Sequence, residues 1–209
     1  YPLVPVLAQG VTAVRGISLA MQPGECFALL GHNGAGKTTA IKMVTGELSM
    51  TSGDAEIHGL SVRTEAPAVR RLLGICPQHD ILYEELSAIE HLQLYGALKG
   101  VHKTASDLEA LVAAVKLTKV CHKRAGSYSG GMKRRLSCAV AFVGEPQVVM
   151  LDEPTTGMDP MHRNFVWDYL RLAKASRVLL LTTHSMEEAD ALGDRIGIMS
   201  EGQLAALGS

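Results

Sequence analysis

The sequence predicts an α/β protein: a mainly parallel sheet with a small antiparallel β part and an inserted α-helical lobe. Three observations predict it. Short apolar runs alternate with stretches of helical periodicity, the pattern of strands covered by helices. Residues 52–62 instead carry Gly53 and Gly59 among strand formers, as short antiparallel strands do. The middle of the chain, 84–143, turns helical.

Each element has its own signal. Glu25–Leu30 is a buried strand running into a glycine loop, and Thr38–Thr45 continues as helix. Leu72–Cys76 is the next long strand. Ser87–Glu90 and Ser106–Glu109 both have S-x-x-E capping-box spacing, so a helix is expected to start at each. Leu108, Leu111, Val112 and Val115 share one helical face. Strands return at Val148–Leu151 and Arg177–Thr183, with a helix over Met161–Ala175 between them and a third capping box at Ser185–Glu188. No repeat, low-complexity segment or linker interrupts the chain. A single domain over 1–209 is expected, with a core of 1–83 and 144–209 and the lobe at 84–143.

Composition sets bounds. At 209 residues, 47% hydrophobic and 20% charged, the chain can bury a proper core. A net charge of −1 gives no reason to expect nucleic acid as a partner. The four cysteines, Cys26, Cys76, Cys121 and Cys138, have no CxxC spacing and read as free thiols in a reducing compartment. No apolar run approaches the roughly 18 residues of a membrane helix. No signal peptide is recognisable, and the start at Tyr1 is expected to mark an excerpt of a longer polypeptide.

The strongest local signal is GHNGAGKTT, Gly31–Thr39: Gly31, His32, Asn33, Gly34, Ala35, Gly36, Lys37, Thr38, Thr39. It matches G-x-x-x-x-G-K-[ST] between a strand and a helix, which makes the core a P-loop NTPase core. The glycines let the backbone wrap phosphates, Lys37 supplies a point charge, and the Thr38 hydroxyl can ligate Mg²⁺. The second signal is VVMLDEP, 148–154, a strand ending in Asp152 and Glu153. Beside a P-loop, Asp152 reads as a Mg²⁺ partner and Glu153 as the general base that polarises water. Alone, the same letters are equally a solvated acidic turn. Gln78, after a strand, can reach the metal or the water. His184, at the end of another, can donate to a γ-phosphate. Either is more often structural, as are the remaining histidines; Asp159 in TTGMDP stands out only by its company.

A second anion site is written in SYSGGMKRRLS, 127–137: bare backbone at Ser129, Gly130 and Gly131 before a helix, then Lys133, Arg134 and Arg135. Two such sites make sense if a second copy docks head to tail, so that each site is half of a composite pocket.

In this order the motifs resemble the nucleotide-binding domain of an ATP-binding cassette (ABC) transporter over essentially all 209 residues. Walker A is Gly31–Thr39, the Q-loop Gln78, the signature Tyr128–Met132, Walker B Val148–Asp152 with Glu153, the D-loop Thr155–Pro160 and the switch His184. The wording GHNGAGKTT, GICPQHDILYEELSAIEHLQLYGALKGV and YSGGMKRRLS is most similar to the A subfamily. The resemblance implies an ATPase, with ATP and Mg²⁺ as ligands and Thr38, Gln78 and Asp152 at the metal. It also implies catalytic Glu153, His184 and Gln78, and a second cassette whose Ser129–Gly131 faces the γ-phosphate. It further implies transmembrane domains touching the surface near Gln78 and 82–96, transport of lipid or another hydrophobic substrate, and a place on the cytosolic face of a membrane. Tyr1 stands where an aromatic would stack on adenine. Met132 and Tyr128 depart from the usual Gln and Leu. The other readings are a soluble cassette ATPase and a regulatory ATP-binding module.

Overall fold

The computed structural model describes residues 12–209. Tyr1 and the segment 2–9 lie outside the described residues. In chain order these form β1 (Cys26–Leu30), α1 (Lys37–Val44), β2 (Glu56–Ile57), β3 (Leu60–Ser61), α2 (Ala66–Leu72), β4 (Leu73–Cys76), α3 (Ala88–Leu98), α4 (Ala105–Ala114), α5 (Gly130–Ala141), β5 (Val148–Asp152), α6 (Pro160–Ala173), β6 (Val178–Thr183), α7 (Met186–Leu192), β7 (Arg195–Ser200) and β8 (Gln203–Gly208).

Six strands make one sheet in the order β4-β5-β6-β1-β7-β8, and β2 and β3 form a separate antiparallel pair. β4, β5, β6, β1 and β7 are parallel; β8 turns back against β7. The central strands are apolar throughout because both faces are covered. Cys26, Ala28 and Leu30, with Val149, Leu151, Leu179 and Leu181, face α5, α6 and α7 through Cys138, Phe142, Trp167 and Leu192. The alternate residues Phe27, Leu29, Val148, Met150, Val178 and Leu180 face α1, α2 and the small sheet through Ile41, Val69 and Ile57. A third core joins α3, α4 and α5 through Leu92, Leu108, Val112, Leu136 and Val140. Helix α5 thus contributes to the sheet core and to the lobe core at once.

Three expectations change. Helix α4 starts from Thr104, not Ser106: Thr104 accepts from the Asp107 amide and Asp107 reaches back to the Thr104 amide. An Asp at the third helical position completes the box as a Glu would. At α7, Ser185 caps as expected, but the Glu188 carboxylate leaves the box to accept from Thr155 Oγ1 at 2.6 Å and Trp167 Nε1 at 3.1 Å. Helix α2 and the β7–β8 hairpin were not anticipated at all.

Candidate active site

The chain ends of β1, β5 and β6 lie side by side, and the predicted residues project from them. From β1, the Gly31 amide donates to Thr183 O at the end of β6, which fixes where the glycine loop leaves the sheet. A Cβ on Gly31 would stand 2.4 Å from Met199 O, and one on Gly36 2.4 Å from Ala13 O. These two glycines are therefore required by the protein's own backbone as well. Gly34, at φ 83° with open space around it, is the loop glycine whose need is conformational alone. His32, Asn33 and Gly34 are exposed, Ala35 is buried, and Thr38 and Thr39 are half-buried at the start of α1. Gly36 precedes α1 at φ 103° and offers no side chain to cap it. The first-turn amides are thus free of a side-chain acceptor, the arrangement that receives an anion.

Lys37 is only 5% exposed. Its Nζ donates to Gly31 O at 2.7 Å and His32 O at 3.2 Å and lies 3.6 Å from Glu153 Oε1. Asp152 ends β5, buried, and accepts through Oδ1 from the Thr182 hydroxyl. Its second carboxylate oxygen is not used in that bond. Glu153 follows at φ 48°, in the left-handed region, with its amide shared between Thr182 O and Oγ1 at 3.1 Å. One carboxylate oxygen takes Thr156 Oγ1 at 2.9 Å and faces His184 Nδ1 at 3.1 Å; the other faces Lys37. Lys37, Glu153 and His184 form one connected cluster, and Asp152 joins it through Thr182.

Gln78 is brought to the same end of the sheet, past β4, but its side chain is exposed; its carbonyl, not its amide group, is held, by Arg134 Nη1 at 3.2 Å. Ser129 caps α5 by accepting from the Met132 amide, with Ser129 and Gly130 exposed and Gly131 half-buried. Helix α5 packs on β4, whereas the glycine loop leaves β1, three strand spacings away, about 14 Å across the sheet. Among the described residues no hydrogen bond or salt bridge joins the two. The cations after Gly131 are not the free ones the sequence suggested. Lys133 pairs with Glu84 at 3.3 Å, Arg135 donates to Val115 O and Lys116 O, and Arg134 is buried. Tyr128 belongs to the lobe core, its hydroxyl donating to Val120 O at 2.7 Å.

Asp159 caps α6 by accepting from the His162 amide, and its carboxyl lies below its usual range because the His162 side chain and amide donate to it. The His162 ring lies beside Gly131, where a Cβ would meet it at 3.5 Å. Arg134, which the sequence offered only as one of the cations of the second anion site, instead holds the backbone carbonyls of 77–78 and 152–154. Its only signal was spacing: Arg134, Cys138 and Ala141 recur at four and three residues, the period of a buried helical face.

The family model described as ABC transporter matches residues 14–156, more than half the chain. ABC transporter A family member 11 of Arabidopsis thaliana is 52% identical over 201 residues, which is 94% of this chain and 21% of that protein. The chain thus spans about a fifth of the length of that relative. A solved ATP-binding subunit of an ABC transporter superposes with TM-score 0.85 at 29% identity, covering 98% of this chain and 86% of that one. A dimeric, post-hydrolysis ATP-binding cassette bound to ADP and Pi superposes at TM-score 0.83 with 20% identity, covering 94% of this chain and 90% of that one, a likeness of fold. The chain belongs to the ABC transporter family.

Proposed function

We propose that this domain binds Mg²⁺-ATP and hydrolyses it as the motor of a membrane transporter. The observation that carries the reading is the cluster of Lys37, Glu153 and His184, with Asp152 behind it, beside the uncapped start of α1. Lys37 and the first-turn amides bind the phosphates. Glu153, buried and aimed at the same space, accepts the proton of the attacking water. His184, with its side chain half exposed, can turn from Glu153 to the γ-phosphate.

The donor set fits Mg²⁺: the Thr38 hydroxyl and the spare Asp152 oxygen are hard ligands, and this ion takes one or two protein oxygens with waters and phosphate rather than a full cage. Among the described residues no group of three or more His, Cys, Asp or Glu forms such a cage. When bound, the ion neutralises charge on the phosphate oxygens. Gln78 approaches the metal or water only if its exposed side chain swings inward.

The exposure of Ser129 and Gly130 and the absence, among the described residues, of any hydrogen bond or salt bridge between them and the glycine loop support a second cassette: Ser129, Gly130 and Gly131 serve the partner's nucleotide, head to tail. The dimeric relative bound to ADP and Pi lends support through its fold. Ile81 and Tyr83 expose apolar surface beside Gln78, which suits contact with transmembrane domains. No helix described is long and apolar enough to cross a membrane itself. A-family relatives at about 50% identity favour that branch, and a lipid or other hydrophobic cargo and a position on the cytosolic face of the membrane are part of the proposal. The core of 1–83 and 144–209 carries the nucleotide and the lobe 84–143 the signature.

Glu153→Gln tests the reading. ATP binding survives, steady-state hydrolysis by the full-length transporter falls by about 10² or more, and the ATP-bound cassette pair persists. Equal turnover in the wild type and the variant overturns it.

A further inference from the structure

We propose that Arg134 is a positioning residue for hydrolysis, holding the Glu153 turn and the Gln78 loop in one fixed relation and tying both to the helix that starts at Ser129. The inference rests on the catalytic reading above. The parallel ladder between β4 and β5 ends at the pair Cys76 and Leu151. Beyond it the two strands part, and their next carbonyls have no ladder partner across the gap. Arg134, 6% exposed, fills that notch. Its Nη2 donates to Asp152 O at 2.6 Å and Glu153 O at 2.9 Å, and its Nε to Pro154 O at 2.9 Å. On the other side Nη1 donates to Pro77 O and to Gln78 O at 3.2 Å. Nearby, Asp80 Oδ1 accepts from Ser137 Oγ at 2.9 Å and lies 3.8 Å from Arg134 Nη1, so two residues of α5 hold the same loop.

The chemistry requires a guanidinium. A planar fork with donors on both edges can serve two diverging strand ends at once; an ammonium is a single point. The bonds to the peptide carbonyls on either side of the Glu153 Cα also bear on its left-handed backbone. That conformation is strained for a non-glycine residue. It turns the Glu153 side chain back toward Lys37 and His184 while its carbonyl meets Arg134. Removing the guanidinium frees the turn to relax and leaves buried carbonyls unpaired. Arg134 touches no reacting atom; it acts through Glu153 and Gln78. Because it sits on the first turns of α5, it also links the partner-facing Ser129 to the catalytic carboxylate.

The test compares Arg134→Gln and Arg134→Lys with Lys99→Met in the full-length protein. Lys99 makes a similar tie between lobe and sheet far from the site, donating to Leu73 O and Val143 O. It supplies the purely structural control. For both Arg134 variants, kcat for ATP falls about tenfold or more while KM stays within about twofold. Amide hydrogen exchange rises together at 78–83 and 153–158. Lys99→Met lowers thermal stability with kcat unchanged. The inference is overturned if Arg134→Lys keeps wild-type kcat, if kcat falls only in proportion to stability as in the control, or if one loop loosens without the other. Should the wild type itself fail to hydrolyse ATP, the catalytic reading fails instead, and the paired exchange still decides whether the tie exists.

Discussion

Lys37 Nζ lies 3.6 Å from Glu153 Oε1, with the two side chains 4% and 6% exposed. The cation proposed to meet phosphate and the carboxylate proposed to meet water therefore neutralise one another. Removing one partner of a buried pair leaves the other uncompensated, at a cost of roughly 3 kcal/mol. Lys37→Met is expected to lower the stability of the nucleotide-free domain by about that amount, besides abolishing ATP binding. The double variant Lys37→Met/Glu153→Gln recovers most of the loss. Denaturant unfolding of the two singles and the double gives the coupling directly.

The loop glycines separate by cause. Gly31→Ala forces a Cβ to 2.4 Å from Met199 O, an overpacking cost of about 1–3 kcal/mol. Gly34→Ala meets nothing within 4 Å and carries only its positive φ, about 1–2 kcal/mol. Unfolding midpoints should rank the two in that order, and the reverse order contradicts the packing described here.

Acid should loosen the lobe before the sheet. Glu90 is held below its ordinary value of 4.5 by the Ser87 amide and then its hydroxyl; Asp107 is held below 3.8 by the Thr104 amide and then its hydroxyl. A depressed carboxylate stabilises above its unfolded pKa, and that contribution is lost as pH falls through the folded one. Amides in the first turns of α3 and α4 should therefore lose protection below the usual carboxylate range while those of β6 keep theirs. Glu90→Gln and Asp107→Asn should flatten that dependence.

Much of this was legible because motifs fix local geometry. A strand, a glycine loop and a helix start follow from GHNGAGKTT itself, and VVMLDEP names its own strand end. What escaped lies in tertiary partnering. Glu188 has the spacing of a capping box, yet Thr155 and Trp167, distant in sequence, claim its carboxylate. Arg134 reads like Lys133 as a surface cation, and only the parting of β4 and β5 gives it five carbonyls to fill. Helix α2 buries little beyond Val69, so no apolar stripe announces it. The β7–β8 turn needs positive φ at both Glu201 and Gly202; the glycine was a signal for it, but Glu is an uncommon choice for the first position.

The lobe leaves the sheet after β4 and returns at β5, its hydrogen-bonded parallel neighbour. Parallel neighbours cannot be joined by a tight hairpin; some crossover is obligatory, and α5 lying on β4 supplies it. Helices α3 and α4 are then an elaboration hung on an obligatory bridge. Because closure entropy grows only with the logarithm of length, that elaboration can be lengthened, pruned or transplanted between relatives without shifting the strand register beneath it. The architecture leaves the scaffold under the glycine loop and the appendage of α3 and α4 free to diversify at different rates.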